Sequence, residues 1–263
     1  MPLARIAQVL KDRQKKPAMA DASYWDERAR SRSGFARSVW HSESFSMAWD
    51  ERQQTLLRDT LESLFERVDG LAVADVGCGT GRITRFLARS GAKATGFNFS
   101  PATVEAAQAE TRAAGLTADF VVADATTGAL PVADGTFDAS LAIGCLAVAC
   151  RDLDALERAL SAMAHATRHG GAVVLLEPVH TTRFLGRVLR ASVDDWISAG
   201  ERTGLRLVSQ RGMGFLPARL AFSSLDLPSW LVGPTFTACE TALDAIPALE
   251  LASDYRLIVF RKP

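Results

Sequence analysis

The stretch around Asp75 combines residue types and a spacing that suit ligand binding, because a carboxylate is followed by three alternate glycines, Gly77, Gly79 and Gly81. Alternate glycines let a turn adopt dihedral angles that other residues avoid, and they let a ligand approach the backbone closely. An apolar run before them and an amphipathic segment after them predict a strand, a tight turn and a helix. Because the first N–H groups of a helix have no partner within it, this turn favours a nucleotide-like ligand.

The spacing of the glycines distinguishes between two kinds of nucleotide ligand. A dinucleotide-binding turn has the pattern G-x-G-x-x-G, and Arg82 occupies the position of its third glycine here. The glycines instead follow G-x-G-x-G, and the carboxylate of Asp75 suits an ammonium group better than a pyrophosphate. The pattern therefore argues against a nicotinamide-dependent oxidoreductase, which stays open as an alternative, as does a purely structural glycine turn.

Residues 73–82 resemble motif I of the class I S-adenosylmethionine-dependent methyltransferases, which has the form (D/E)-x-G-x-G-x-G. The resemblance extends over about residues 71–263 and implies that S-adenosyl-L-methionine is the cofactor. It implies that Asp75 holds the methionine part of the cofactor, directly or through water. It also implies that the cofactor lies against the backbone of Gly77, Cys78, Gly79 and Gly81.

Further positions match the same family pattern one by one. The resemblance implies contacts with the cofactor for residues at the ends of the next strands: Asn98, Phe99, Asp124, Ala125, Ile143 and Gly144. Asn98 is a departure, because family members carry an acidic residue there that binds both ribose hydroxyls. An amide offers fewer charge-assisted acceptors, and the loss is worth about 1–2 kcal/mol of cofactor binding.

The resemblance implies in-line transfer of a methyl group from a sulfonium to an O, N or C nucleophile of a small molecule. Positioning supplies much of the acceleration in such a step, and an acceptor that must lose a proton also needs a base. His180, which follows the fifth predicted strand, and His41, in an aromatic-rich segment, are the candidates for that base. Tyr24 and Trp25 are candidates to face the sulfonium, because an aromatic face attracts a cation.

The order of the predicted elements is that of an α/β protein. Strands and helices alternate after motif I, which predicts a doubly wound, Rossmann-like methyltransferase fold with a mostly parallel sheet and an antiparallel last strand. Residues 1–69 are predicted to form a helical N-terminal cap or lid, and residues 70–263 the cofactor-binding domain. An apolar insert at about residues 212–254 suggests a lipophilic or aromatic substrate, as in secondary metabolism.

The composition excludes several other functions. Lysine plus arginine and aspartate plus glutamate both number 30, so the charge does not favour a nucleic acid or a membrane surface as partner. The longest apolar run, residues 139–150, is too short to span a bilayer. Four cysteines without metal-site spacing predict no metal and a reducing cytoplasm. The sequence leaves the oligomeric state open, and it leaves open a cofactor-binding protein of this fold that transfers no methyl group.

Overall fold

The structure is a computed structural model that describes residues 19–31, 42–181, 188–223 and 227–263. Seven strands of the described residues form one sheet in the order β3-β2-β1-β4-β5-β7-β6. The strands are β1 (Ala72–Val76), β2 (Lys93–Asn98), β3 (Asp119–Val122), β4 (Phe137–Ile143), β5 (Thr167–Glu177), β6 (Arg206–Phe215) and β7 (Ser253–Arg261).

Strand β7 alone runs against the direction of its neighbours in this sheet. It lies between β5 and β6 and pairs antiparallel with both, whereas β1 to β5 pair parallel with one another. The central strands are apolar because both faces of the sheet are covered, and Val73, Leu141 and Val174 have no exposed surface. The predicted α/β fold, with its antiparallel last strand, is confirmed.

Helices flank the sheet on both faces, and polar residues begin several of them. Ser42, Ser100 and Asp152 each accept a bond from a backbone N–H of the first helical turn, and Ser192 forms a capping box with Asp195. The helices are α1 (Ala22–Ser31), α2 (Glu43–Phe65), α3 (Arg82–Arg89), α4 (Pro101–Ala113), α5 (Leu146–Ala149), α6 (Leu153–Ala166), α7 (Val193–Arg202), α8 (Leu216–Phe222) and α9 (Ser229–Ala245).

The structure corrects two predicted boundaries. The apolar spacing after Asp152 predicts a helix up to Arg168 that is closed by Gly170 and Gly171, but α6 ends at Ala166 and both glycines lie within β5. The predicted insert at about residues 212–254 begins with the end of β6 and then contains α8, α9 and a short 3₁₀ helix, Pro247–Ala252. Strand β6 continues to Phe215 because it pairs with β7, whereas the start of β5 is held by pairing with β4 at Phe137 and by backbone hydrogen bonds of Gly170 and Gly171 with Lys262.

Two aromatic residues of the predicted cap belong to the core. Phe45 and Trp49 on α2 are almost fully buried, and both rings contact Phe236 on α9 at centroid distances of 5.5 and 5.7 Å. A polar network supports the same contact. Glu240 on α9, which is 3% exposed, accepts bonds from two backbone N–H groups at the end of β6 and pairs with Arg52 on α2. Helix α2 is therefore fixed to the main domain by α9.

Candidate functional site

A pocket opens at the carboxyl ends of β1, β2 and β4, where ligands bind in open α/β sheets. It has an empty volume of about 950 Å³, part of it open to solvent. Ten residues predicted to bind the cofactor line it: Asp75, Gly77, Cys78, Gly79, Asn98, Phe99, Asp124, Ala125, Ile143 and Gly144. These ten residues, which stay predicted cofactor contacts, therefore lie together around one pocket.

Three other predicted site residues, among those that the structure describes, are not part of this lining. The ring of Tyr24 contacts that of Trp25 edge-on, with 5.2 Å between the ring centroids. Trp25 lines the pocket and Tyr24 does not. Gly81 faces away from the pocket, because a Cβ built on it would lie 2.9 Å from the ring of Phe120. His180 is buried beside Asp254 on β7, and His41 lies outside the described residues.

Asp75, at the end region of β1, is a buried carboxylate next to the glycine turn. It is 1% exposed, and its Oδ2 accepts a hydrogen bond of 2.6 Å from the hydroxyl of Thr84. Burial raises the pKa of Asp75 to about 6, against the lowering effects of the Thr84 hydrogen bond and of Arg82. A buried carboxylate favours a cationic partner, so an ammonium group of a ligand fits this position.

The three glycines of the turn have different surroundings, although all have positive φ. A Cβ on Gly77 would overlap the side chain of Cys145, and one on Gly81 would press on Phe120. A Cβ on Gly79 would meet no protein atom within 4 Å. Gly79, which lines the pocket, is therefore the glycine whose free backbone edge is available to a ligand.

Two polar side chains at the ends of β2 and β3 are already oriented by their own backbone. The Oδ1 atom of Asn98 accepts a bond of 3.0 Å from Ser100 N. Asp124 Oδ1 accepts from both the N–H and the hydroxyl of Thr126, so Oδ2 is the carboxylate oxygen that remains for a ligand. The capping role and a binding role of Asp124 are thus compatible.

Helix α1 brings Trp25 to the pocket. Asp26, its neighbour, accepts bonds from Ser100 Oγ at 2.6 Å and from Ala102 N at 3.1 Å, at the beginning of α4. Trp25 Nε1 donates to Met19 O at 2.7 Å, which fixes the indole ring. The described part of the N-terminal segment therefore adds a wall to the pocket.

We expect Asp26→Ala to weaken binding of the demethylated cofactor, S-adenosylhomocysteine, by about tenfold, since two hydrogen bonds to a charged group hold α1 on α4. Calorimetry measures the affinity. Asp21→Ala is the matched control, because it removes only the exposed ion pair with Arg151, which contributes little. Equal affinities of the two variants would show that α1 does not support the cofactor.

One pocket-supporting residue escaped the sequence analysis. Glu177, the last residue of β5, is fully buried and binds the backbone of residues 145–147, next to the pocket. An acidic residue directly after a continuous apolar run was the available signal. Within the described ranges, no group of three or more His, Cys, Asp or Glu side chains is arranged to hold a metal ion.

Comparison with known proteins decides which cofactor this geometry serves. The sequence profile of a family described as "Methyltransferase domain" matches residues 73–171, which include the glycine turn and strands β1 to β4. Residues 73–171 therefore belong to the class I S-adenosylmethionine-dependent methyltransferases. This assignment confirms the predicted family, and with it the predicted cofactor, S-adenosylmethionine.

Individual relatives agree with the methyltransferase domain assignment. The chain is 34% identical over 121 residues to a demethylmenaquinone methyltransferase of Tropheryma whipplei, covering 46% of this chain and 47% of that protein. It is 33% identical over 175 residues to the methyltransferase GfsG of Streptomyces halstedii, covering 63% and 58%. The chain thus spans about half the length of the curated relatives that it matches.

The fold of the methyltransferase domain also occurs in solved structures. Magnesium protoporphyrin IX methyltransferase of Synechocystis, solved with bound S-adenosylhomocysteine, superposes with a TM-score of 0.59 over 94% of this chain and 97% of that one, at 12% identity. At this identity the likeness extends to the fold alone. Among the described helices, none combines the length and the hydropathy needed to cross a bilayer.

Proposed function

We propose that the protein is an S-adenosylmethionine-dependent methyltransferase that acts on a small molecule. The observation that carries the proposal is the pairing of a buried carboxylate, Asp75, with the open backbone edge of Gly79 in one pocket of a methyltransferase domain. The cofactor supplies a methyl group on a positively charged sulfur, which is already a good leaving group. The chain has to bind and orient the reactants and exclude water, and an acceptor that must lose a proton also needs a base.

Each part of the cofactor has a partner of suitable chemistry in this pocket. Asp75 binds the ammonium group of the methionine part, and Asn98 binds a ribose hydroxyl. Phe99 covers one face of the adenine, and Asp124 Oδ2 accepts from the adenine amino group. The indole of Trp25 lies on the pocket wall, where an aromatic face attracts the sulfonium.

We propose a lipophilic or aromatic acceptor with an O, N or C nucleophile. The demethylmenaquinone methyltransferase among the relatives is named for a quinone substrate, and the helices α8 and α9 between β6 and β7 bring apolar residues next to the sheet. The balanced charge of the chain supports a small molecule over a nucleic acid. The four free thiols support location in a reducing compartment such as the cytoplasm.

We propose His180 as the base for an acceptor that must lose a proton. Its Nε2 lies 3.8 Å from Asp254 Oδ1, and Arg219 Nη2 donates to the same oxygen at 2.8 Å. His180 follows β5 at the pocket edge of the sheet, whereas His165 and His169 lie near the beginning of β5, at the opposite edge. His41, the other candidate, remains a prediction from the sequence.

We expect His180→Gln to lower the rate of methyl transfer by about 100-fold, as is typical for loss of a general base, and to leave the affinity for S-adenosylhomocysteine unchanged. His169→Gln is the matched control, because that imidazole is exposed and bonds only to Pro263 O among the contacts described. Single-turnover rates measure the effect. A rate of His180→Gln equal to that of the control would remove His180 from the reaction.

Two experiments test the proposed function. Calorimetry with S-adenosylmethionine and S-adenosylhomocysteine tests the cofactor, and a radiolabelled methyl donor with a metabolite extract tests transfer. Binding without labelled product would favour a cofactor-binding protein that transfers no methyl group, an alternative supported by Asn98 in place of an acidic residue. A thermal shift with NAD(P)H but not with S-adenosylmethionine would favour the oxidoreductase.

A further inference from the structure

Glu177 binds three consecutive backbone N–H groups at the beginning of α5. Its Oε1 accepts from Cys145 N at 2.9 Å and from Leu146 N at 3.0 Å, and its Oε2 accepts from Ala147 N at 3.1 Å. The side chain has no exposed surface. Both carboxylate oxygens thus bind one short backbone segment, residues 145–147, which follows the neighbouring strand β4.

That segment forms part of the cofactor pocket. Residues 143–146 line it between β4 and α5, and Gly144 N donates to Leu176 O, beside Glu177, at 2.9 Å. Cys145 also contacts the glycine turn, since its Sγ donates to Val76 O at 3.0 Å and its side chain fills the space beside Gly77. The position of residues 144–147 therefore determines the shape of the pocket next to both β4 and the glycine turn.

Burial of the ionised carboxylate of Glu177 lowers the stability of the fold. Burial raises the pKa of Glu177 to about 7, while the three backbone hydrogen bonds and the Cys145 thiol favour its charged form. Helix α5, whose first N–H groups Glu177 binds, has only four residues. Capping it stabilises the fold by less than the burial of a charge destabilises it. Capping this short helix therefore does not account for a buried carboxylate here, and the other role of the segment is to line the pocket.

We propose that Glu177 is a positioning residue for the cofactor, which holds residues 144–147 where their backbone contacts the amino-acid part of the bound molecule. The inference rests on the proposed function. Glu177 touches no ligand itself, because it lies behind the segment and acts through it. Replacement of Glu177 should therefore weaken cofactor binding while the other residues that line the pocket stay in place.

The test is Glu177→Gln, with Glu240→Gln as a matched control. A glutamine at 177 can accept from Cys145 N and Leu146 N, but its NH₂ group then faces the N–H of Ala147, so one contact becomes repulsive. Glu240 is also buried and accepts from two backbone N–H groups, those of Gly214 and Phe215, but it lies outside the cofactor pocket. Both variants replace a buried carboxylate that binds backbone N–H groups.

We expect calorimetry at about pH 8 to give an affinity for S-adenosylhomocysteine that is about tenfold lower in Glu177→Gln, the loss of roughly one charged hydrogen bond. Glu240→Gln should bind as the wild type does. Circular dichroism verifies that both variants are folded. Equal affinity of Glu177→Gln and the wild type, or an equal loss in Glu240→Gln, would overturn the inference.

A pH profile adds a readout that a purely structural role would not change. Wild-type affinity should fall as the pH is lowered through about 7, because a protonated Glu177 has fewer acceptors for the segment. Groups that face Glu177 are the thiols of Cys145 and Cys150, whose pKa values burial raises further above the window of this profile, and Arg256, its partner on β7. Asp75, with its pKa raised to about 6, affects wild type and variant alike.

The affinities of wild type and Glu177→Gln should therefore converge towards about pH 6.5. If Glu177→Gln does not fold, the wild-type profile decides alone, and an affinity that stays constant between about pH 8 and 6.5 overturns the inference. Absence of S-adenosylhomocysteine binding by the wild type would instead contradict the proposed function. The two failures are thus distinguishable.

Discussion

Asp75→Asn should abolish measurable binding of S-adenosylhomocysteine and, at the same time, raise the melting temperature of the free protein. The amide retains an acceptor for the Thr84 hydroxyl, which donates to Asp75 at 2.6 Å, but it cannot pair with the ammonium group of the ligand. Removing one partner of a buried charged contact lowers affinity by about 100-fold or more. The loss of binding follows from charge and not from shape.

The gain in stability follows from the raised pKa of Asp75. Burial raises this pKa to about 6 from an ordinary value of 3.8. Between these two values the folded state binds more protons than the unfolded state, so stability falls as the pH rises through this window. Above it the ionised carboxylate destabilises the free protein by about 3 kcal/mol, at 1.4 kcal/mol per pKa unit, a cost that asparagine avoids.

Thermal melts at about pH 8 and at about pH 4.5 measure this effect. The variant should melt about 5–10 °C higher at the upper pH, and the difference should shrink at the lower pH, where wild-type Asp75 is protonated. A variant that binds S-adenosylhomocysteine normally, or a melting difference independent of pH, would contradict this account of Asp75.

Asp138→Asn is a control in which the expected change in melting temperature has the opposite sign. Burial raises the pKa of Asp138, but bonds from Arg168 and from Ala72 N outweigh it, so the pKa lies below its usual range. The ionised form therefore stabilises the fold, and the amide should lower the melting temperature. Asp138 lies at the beginning of β4, away from the pocket, so cofactor affinity should not change.

Gly79→Ala and Gly77→Ala should separate ligand binding from folding within one turn. An alanine at 79 meets no protein atom within 4 Å, so only its left-handed backbone, with φ of 54°, destabilises it, by about 1 kcal/mol. Its methyl group projects into the open space that we propose for the cofactor. Affinity for S-adenosylhomocysteine should therefore fall by more than about tenfold, the effect of one unfavourable buried contact.

An alanine at 77 has a different consequence, because its methyl group overlaps the side chain of Cys145. The overlap adds to the cost of a φ of 75°, and the two together amount to about 2–5 kcal/mol of lost stability. Melting temperatures and calorimetry measure the two effects in both variants. If Gly77→Ala proves as stable as Gly79→Ala, Cys145 does not constrain the turn in the way the structure indicates.

Most of the fold followed from local patterns. The strands β1, β4 and β5 are apolar runs, in which the charged residues are Asp75, Asp138 and Glu177 near strand ends and those in the exposed start of β5. Capping residues such as Ser100 and Ser192 mark where helices begin. These signals depend on a few neighbouring residues, so they can be recognised in the sequence. The start of β5 and the end of β6 could not be placed in that way, because the first is held by β4 and Lys262 and the second by pairing with β7.

That these residues lie around one pocket was predictable, because motif I is contiguous and the other positions follow strand ends. Local patterns cannot tell which of two adjacent aromatic residues turns inward, and the docking of α1 on α4 through Asp26 selects Trp25 over Tyr24. Nor does spacing distinguish Gly81, which packs on Phe120, from Gly79, which faces open space. These differences arise from neighbours that are distant in sequence.

The sequence by itself determined the α/β class, the cofactor and the edge of the sheet at which the pocket opens, since each depends on glycine spacing, a carboxylate and hydrophobic periodicity. Only the tertiary structure decided what each residue contacts. It brought Glu177 within hydrogen-bond distance of residues 145–147, and it buried His180 beside Asp254. The physical reason is that burial and pairing, which set the pKa and orientation of a side chain, depend on strands and helices far apart along the chain.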